Sequence, residues 1–267
     1  MSFLNGMIIG QFIPMKSVIH GLSARTKLIS TMLMIIGIFF ANNFTNFCLI
    51  GLFALFVLRL SSISVKFLIR GIRPLLFIFI LTFFVHIFMT DGEVIWRWAV
   101  FSVTKEGIRN GGIILFRLFL LVIYTTILTL TTSPIDLSDG IETLLKPFKY
   151  VKFPVHEFAL MMTIALRFIP TLVDEIERIE SAQRARGADF SSGGLMQRIM
   201  NFIPILIPLF ILSFKRADEL ALAMESRCYK GGEGRTKYYI DRFKKGDFVS
   251  FAIVISFVLI FIGSRII

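Results

Sequence analysis

The chain has 267 residues, of which 55% are hydrophobic and 18% are charged, and its mean hydropathy is +0.78. Soluble domains contain roughly 45–50% apolar and about 25% charged residues, so the composition excludes an ordinary soluble domain and a disordered chain. Two cysteines and three separated histidines provide neither a disulfide framework nor the ligand spacing of a metal site. The sequence therefore predicts no metal and no other cofactor.

The formal net charge of +11 lies next to apolar segments rather than in one basic domain. Residues 1–90 hold seven basic and no acidic side chains, whereas residues 133–247 hold 17 basic and 15 acidic ones. A nucleic-acid-binding domain would instead gather its positive charge on one face. Membrane topology accounts for this distribution better, and no nucleic-acid partner is predicted.

Five segments are apolar and long enough to be candidate membrane spans. They cover residues 25–41, 44–60, 70–90, 111–131 and 249–265, approximately. Asn42 and Asn43 separate the first two spans, because adjacent amides are costly inside hydrocarbon and favour a turn. These spans indicate a membrane domain over residues 1–132 and a last transmembrane helix within residues 248–267.

The basic residues indicate the orientation, because they concentrate in cytoplasmic loops. With the N-terminus inside, the inner side carries 24 basic residues and the outer loops carry three. Trp96 and Trp98 then fall in an outer loop, where interfacial aromatic anchors are common. Arg117 is the one charged residue within the fourth span, and we interpret it as a snorkelling side chain or a cap for backbone carbonyls.

Residues 133–247 form a predicted cytoplasmic domain with two long helical patterns. The first, from Val155 to about Arg186, is amphipathic, and its carboxylates between Asp174 and Glu180 interleave with arginines as on a solvated helix face. The second, over about 194–230, contains a heptad seam that favours contact with a partner helix. The seam consists of Met196, Met200, Ile203, Ile207, Phe210, Phe214, Ala217, Ala221, Met224 and Cys228.

The centre of the second pattern, Phe202 to Phe214, has no charge and contains Pro204 and Pro208. Thirteen residues are too few to span a bilayer easily, so we expect this piece to dip into the inner leaflet or pack beneath the spans. The prolines are expected to kink it.

Each pattern finishes with an arginine between two small residues. The two triplets are Ala185-Arg186-Gly187 and Ser226-Arg227-Cys228, and their arginines are 41 residues apart. Small neighbours would leave the guanidinium as the protruding feature of a helix end, able to dock into a partner. A C-terminal arginine can also simply stabilise the helix dipole, and the spacing alone leaves both readings open.

Nucleotide-binding and hydrolase motifs are absent from the sequence, which predicts that the chain is not itself an enzyme. Three other functions remain as alternatives. One is a static scaffold, which would assemble with its partners without a nucleotide-dependent change. A conventional transporter permease would have its own substrate pathway, although the spans offer few convergent polar groups. A membrane-embedded enzyme would use the carboxylates between Asp174 and Glu180.

Several motifs in order give the chain a family resemblance. They are Ile9-Gly10-Gln11-Phe12-Ile13-Pro14, Ser23-Ala24-Arg25-Thr26-Lys27-Leu28, Ala41-Asn42-Asn43, Leu166-Arg167-Phe168-Ile169-Pro170-Thr171, Ala182-Gln183-Arg184-Ala185-Arg186-Gly187-Ala188 and Arg216-Ala217-Asp218-Glu219-Leu220-Ala221-Leu222-Ala223-Met224-Glu225. Over nearly its whole length the sequence resembles the transmembrane T component of energy-coupling factor (ECF) vitamin transporters, and more the shared, multi-substrate type than the dedicated types.

The resemblance implies an all-α membrane protein with about five transmembrane helices and a cytoplasmic pair of long coupling helices. It also implies two cytosolic ABC ATPases and a small membrane-embedded substrate-binding S component as partners. The family's ATPase-docking motifs map onto Ala185, Arg186 and Gly187 and onto Ser226, Arg227 and Cys228.

The second motif departs from the family pattern. Ser226 and Cys228 stand where alanine and glycine are usual. A glycine-type turn directly after Arg227 is therefore doubtful, and Gly231-Gly232 become the candidate end of the helix. The implied location is a bacterial or archaeal cell membrane, with the large loop in the cytoplasm and the C-terminus outside.

Overall fold

Helices make up most of the structure, a computed structural model that describes residues 12–41, 43–98, 101–151, 154–190, 194–231 and 243–266. The α-helices are α1 (Ala24–Phe40), α2 (Phe44–Ser61), α3 (Val65–Ile72), α4 (Leu76–Met89), α5 (Lys105–Thr131), α6 (Pro134–Leu145), α7 (Val155–Ala185), α8 (Leu195–Ser226) and α9 (Lys245–Ile266). Short 3-10 segments cover Arg73–Leu75 and Lys146–Val151. Two strands, β1 (Val94–Trp98) and β2 (Phe101–Thr104), form one antiparallel hairpin.

The predicted all-α membrane protein is confirmed. Within the described ranges, four helical segments are long and apolar enough to cross a membrane: Phe44–Ser61, Val65–Met89, Lys105–Thr131 and Ile199–Ser226. The first three coincide with predicted spans, and α1 and α9 coincide with the other two. The fourth lies in the segment that the sequence analysis assigns to the cytoplasm. This segment is apolar enough to be a candidate span because residues 199–214 carry no charged side chain.

The third predicted span differs in detail from the observed helices. The sequence indicates one helix over 70–90, whereas the structure has α3, a 3-10 turn at Arg73–Leu75 and then α4. Pro74 stands in this turn and has no N–H with which to continue the helical hydrogen bonds. The helical segment also begins earlier than predicted, at Val65.

The loop after α4 contains a hairpin that the sequence analysis missed. Strands β1 and β2 pair with Trp98 opposite Phe101 and Val94 opposite Thr104, with an irregularity between Val94 and Trp96. The sequence signal for this hairpin was the run of aromatic and β-branched residues within 94–104, which is typical of strands. The side chains of Trp96 and Trp98 lie outside the described part of the structure, so their role as interfacial anchors stays a prediction.

The chain divides into two compact units, which we describe separately. Of the described residues, those up to Gly140 and those after Ile240 form the first unit, and those from Ile141 to Tyr239 form the second. In the first unit, α1 packs against α9 and α5, and α5 also packs against α2, α3 and α4. Its core includes Ile38, Ile50 and Phe261, whose side chains are fully buried.

Asp247 joins the beginnings of α1 and α9. One carboxylate oxygen accepts from the backbone N–H of Ser23, the N-cap of α1, at 2.8 Å. The other accepts from the N–H of Lys244, just before α9, also at 2.8 Å. Burial acts to raise the pKa of Asp247, but these N–H groups and the hydroxyls of Thr26 and Ser23 outweigh it and hold the pKa below the usual value. One carboxylate therefore fixes two helix N-termini side by side.

Two basic side chains close helix C-termini in the same unit. Arg117 donates at 3.1 Å to the carbonyl of Ala41, the C-cap of α1, and its guanidinium lies over the Phe39 ring. Lys27 donates at 2.7 Å to the carbonyl of Thr131, the last residue of α5. The capping interpretation of Arg117 is thus the one the structure shows.

Helices α4 and α5 approach each other closely at Gly107. A Cβ atom at this position would lie 2.8 Å from the carbonyl oxygen of Ile87 and 2.9 Å from that of His86. A Cβ atom at Gly111, one turn later in α5, would lie 3.2–3.4 Å from atoms of Phe83 and His86. Small residues spaced by four are the usual device for close helix packing in membranes.

Substituting Gly107 should therefore separate these two helices. We expect Gly107→Val to destabilise the protein by about 1–3 kcal/mol, because backbone atoms cannot move aside as a side chain can. Thermal unfolding of the detergent-purified chain measures the effect. Gly112→Val is the matched control, since a Cβ there meets no atom within 4 Å. Equal losses in the two variants would contradict the close-packing argument.

Candidate functional site

Two long helices of the second unit carry the predicted site residues. Helix α7 has 31 residues and α8 has 32, and both continue through internal prolines, Pro170 in α7 and Pro204 and Pro208 in α8. The predicted helix from Val155 to about Arg186 agrees with α7 within one residue. The predicted second helix agrees with α8 at its beginning, but α8 ends at Ser226, before the predicted end near residue 230.

The contacts between α7 and α8 run in opposite directions along the two helices. Gln183 contacts Pro204 near the end of α7, and Glu175, two turns earlier, contacts Arg216, which comes later in α8. Later residues of one helix thus pair with earlier residues of the other. The helices are antiparallel where they pack.

A proline creates one of these contacts. Pro208 has no N–H, so the carbonyl of Pro204 four residues earlier lacks its usual helical donor. The side-chain amide of Gln183 donates to that carbonyl at 3.4 Å. The exposed backbone group thus becomes a point of attachment between the helices.

The other polar contact is an ion pair. A guanidinium nitrogen of Arg216 lies 3.2 Å from a carboxylate oxygen of Glu175, and both side chains are partly buried. Partly buried pairs are screened less by salt than exposed ones. Glu175 precedes Arg186 by eleven residues, and Arg216 precedes Arg227 by the same number.

The predicted heptad seam of α8 does not face α7. Its members Ile207, Phe210 and Phe214 are 56%, 61% and 69% exposed. Ile205 of α8 is instead only 4% exposed, and Arg216, which contacts Glu175 of α7, is partly buried. The sequence analysis could not separate the two sides because residues 199–214 of α8 carry no charge on any face.

Helix α7 ends in a backbone turn around Gly187. The N–H of Gly187 donates to the Arg184 carbonyl and the N–H of Ala188 donates to the Gln183 carbonyl, both at 3.0 Å. Gly187 has φ +89°, a left-handed conformation that glycine adopts easily. These two bonds and this conformation define the Schellman motif, which satisfies the last carbonyls of a helix.

Helix α8 ends in the same motif, which corrects the expectation from the sequence. The N–H of Cys228 donates to the Glu225 carbonyl at 2.8 Å, and the N–H of Tyr229 donates to the Met224 carbonyl at 3.0 Å. Cys228 adopts the left-handed conformation, with φ +59°. The turn therefore follows Arg227 directly although no glycine is present, because its hydrogen bonds offset the unfavourable conformation. Gly231 also has a positive φ, whereas Gly232 lies outside the described residues.

All six predicted site residues are exposed, and the structure gives both triplets the same local geometry. Each arginine stands at the C-cap, between the last helical residue and a left-handed residue. Among the residues that the structure describes, neither Arg186 nor Arg227 has a carboxylate within 4.0 Å. The neighbouring Arg184, in contrast, is paired with Glu180 at 2.7 Å.

Two of the four carboxylates between Asp174 and Glu180 form ion pairs. Glu175 pairs with Arg216 in α8, and Glu180 pairs with Arg184 one turn later in α7. The described part of the chain contains no group of three or more potential metal ligands. Glu175 and Glu180 are therefore engaged in ion pairs.

Together these features define a class of protein: an all-α membrane protein with two long, antiparallel helices whose C-terminal ends each present an arginine. Residues 15–238 match the family model CbiQ, described as a cobalt transport protein. Similar proteins named energy-coupling factor transporter transmembrane protein EcfT occur in Ruminiclostridium cellulolyticum, at 49% identity over 95% of both chains, and in Thermosediminibacter oceani, at 50% over 91% and 92%. The protein of that name from Bacillus subtilis is 48% identical over 88% of this chain and 89% of its own.

The chain belongs to this family of energy-coupling factor transporter transmembrane proteins. The resemblance seen in the sequence is thereby confirmed. The protein is a transmembrane component of a transporter.

The left-handed residues that end α7 and α8 give a direct prediction. Gly187→Val and Cys228→Val should each destabilise the turn by about 1–2 kcal/mol, because a β-branched side chain is strained at positive φ. Cys228→Gly should leave the turn intact or stabilise it slightly. Hydrogen exchange of the Ala188 and Tyr229 amides, which donate the outer bond of each turn, measures the change. Equal exchange at Tyr229 in the Val and Gly variants would contradict the assignment.

Proposed function

We propose that the chain couples two cytosolic ABC ATPases to a membrane-embedded, substrate-binding S component of an ECF-type importer of vitamins or other micronutrients. The observation that carries the proposal is the pair of exposed arginines at matching helix ends. ATP hydrolysis would belong to the partner subunits, and this chain would be a non-catalytic subunit.

The helix ends suit docking into two related partners. In each triplet the backbone turn already satisfies the last carbonyls of the helix, so the guanidinium is not needed for that purpose. An exposed guanidinium with its fork of N–H groups can form two parallel bonds with a carboxylate in an acidic groove. Two copies of the same geometry would fit two ATPases with similar grooves.

The exposed apolar side of α8 suits the S component. Its seam contains Met200, Ile207, Phe210 and Phe214, all of which are more than half exposed. An exposed apolar surface of this kind marks a protein or membrane contact. Methionine repacks easily against different partners, which would favour the shared, multi-substrate type of transporter.

The contacts between α7 and α8 offer a route for coupling. The Glu175–Arg216 pair lies eleven residues, or about 16 Å of helix, before each arginine tip. A change in the separation of the tips on ATP binding would be transmitted to this pair and to the apolar side of α8. Such coupling requires contacts that differ between two states of the complex.

The proposed arrangement places residues 1–132 and 248–267 in a bacterial or archaeal cell membrane. Residues 133–247 would then lie on the cytoplasmic side and the C-terminus outside, as the distribution of basic residues indicates. The uncharged part of α8 would lie against the inner leaflet.

The docking proposal predicts that both arginines are needed for assembly. Arg186→Glu and Arg227→Glu should each weaken ATPase binding by about thirtyfold or more, as expected for the loss of roughly 2 kcal/mol or more from a buried charge pair. Copurification of the ATPases and vitamin uptake in proteoliposomes measure the effect. If the double variant assembles and transports as the parent does, the arginines only stabilise the helix ends.

Arg178→Glu provides the matched control, because Arg178 is also an exposed arginine of α7 but lies within the helix. It should leave ATPase binding unchanged. A loss equal to that of Arg186→Glu would indicate a general charge effect instead of docking at the tip.

The ion pair between α7 and α8 predicts a separate effect on transport. Glu175→Arg or Arg216→Glu alone places like charges together and should lower uptake at least about fivefold while the complex still assembles, because both tips remain intact. The exchange of both residues should restore most of the uptake. Failure of the double exchange to restore any uptake would argue against coupling through this pair.

A further inference from the structure

The first unit contains a cavity that the proposed coupling does not use. It has a volume of about 120 Å³ and lies among α1, α2, α5 and α9, at the end where α1 and α9 begin and α2 and α5 finish. Cofactor and drug sites occupy roughly 300–1,000 Å³, whereas an engineered apolar cavity of about 150 Å³ binds benzene. The cavity therefore suits a segment of hydrocarbon chain better than a whole soluble ligand.

The walls of the cavity are mainly apolar. Met34, Phe53, Val57 and Leu128 line its apolar part, and Lys27 and Ser30 contribute polar groups. The Lys27 ammonium already donates to the Thr131 carbonyl. The Ser30 hydroxyl is buried and has no hydrogen-bond partner among the described residues.

The cavity opens sideways between α2 and α9. Phe56 of α2 and Ile253 of α9 line it, although they are 55% and 40% exposed on the outer surface. Further along the two helices the Phe53 and Phe257 rings meet, with their centroids 4.6 Å apart, and close the gap. In a membrane-spanning protein, a lateral opening of this kind faces the lipid chains.

Basic side chains stand at the same ends of the helices that frame the opening. Arg59 lies in the last turn of α2 and Lys245 begins α9, and both are exposed. The acidic residue in the first turn of α9, Asp247, is fully buried, and its oxygens accept from the backbone N–H groups of Ser23 and Lys244. The rim of the opening is therefore positively charged.

We propose that an anionic phospholipid of the surrounding bilayer occupies this cavity. One acyl chain enters between α2 and α9 and fills the apolar part of the cavity. The phosphate lies at the helix ends, near Arg59 and Lys245. The inference does not depend on the proposed coupling to ATPases, because it concerns only the first unit and its membrane environment.

Native mass spectrometry of the full-length chain in detergent tests the acyl-chain site, with palmitoyl-oleoyl phosphatidylglycerol and the matching phosphatidylcholine as probes. We expect at least about fivefold tighter binding of the phosphatidylglycerol. Ile253→Trp, which fills the opening, should weaken that binding at least tenfold. Ile255→Trp is the control, because Ile255 is 43% exposed on the same helix and does not line the cavity. Circular dichroism checks that both variants are folded.

The charged rim is tested by replacing Arg59 and Lys245 together with glutamine. This variant should bind both lipids with similar affinity, whereas Lys66→Gln, a change at an exposed lysine in α3, should keep the preference for phosphatidylglycerol. The proposal is overturned if the parent chain binds the two lipids equally, or if Ile253→Trp and Ile255→Trp bind phosphatidylglycerol alike. Equally tight binding of free oleate would also overturn it, because the phosphate would then have no role.

Discussion

The helix ends impose the strongest constraint on this structure. Each helix leaves backbone N–H and C=O groups without partners at its ends, and hydrocarbon supplies none. In the first unit, charged side chains meet this need: Asp247 accepts N–H groups before α1 and α9, Arg117 donates to the end of α1, and Lys27 donates to the end of α5. Except for the local bond between Lys244 and Asp247, these bonds join different helices, so satisfying the backbone also fixes how the helices pack.

In the second unit the ends of α7 and α8 meet the same need without a charged side chain. Their last carbonyls accept N–H groups from the chain that follows, in two turns of one geometry. An arginine at such an end does not serve the backbone as Arg117 does, so its guanidinium is available to a partner. The backbone turns remove the need for a carbonyl cap, whereas stabilisation of the helix dipole by Arg186 and Arg227 stays an alternative to the proposed docking.

The sequence was sufficient where one residue type or one long pattern determines the outcome. Apolar length predicted α1, α2, α5 and α9, and amphipathic periodicity with a final glycine predicted the end of α7. The sequence was insufficient where contacts with other parts of the chain determine the conformation. The turn at Cys228 depends on two backbone hydrogen bonds that overcome the preference of the residue, and the buried side of α8 depends on the position of α7. The hairpin after α4 was missed because a short strand pattern beside long spans is a weak signal.

The prolines of α8 connect these observations with the proposed function. Within α8, Pro208 leaves the Pro204 carbonyl without its helical donor, and Gln183 of α7 satisfies it. Gln183 is also the residue whose own carbonyl accepts the N–H of Ala188 in the turn beside Arg186. The first arginine tip is thus attached, through a single residue, to the uncharged part of α8 that carries the exposed apolar seam. If an ATPase moves that tip, the displacement reaches the surface proposed for the S component through backbone and side-chain hydrogen bonds of one glutamine, without passing through a flexible loop.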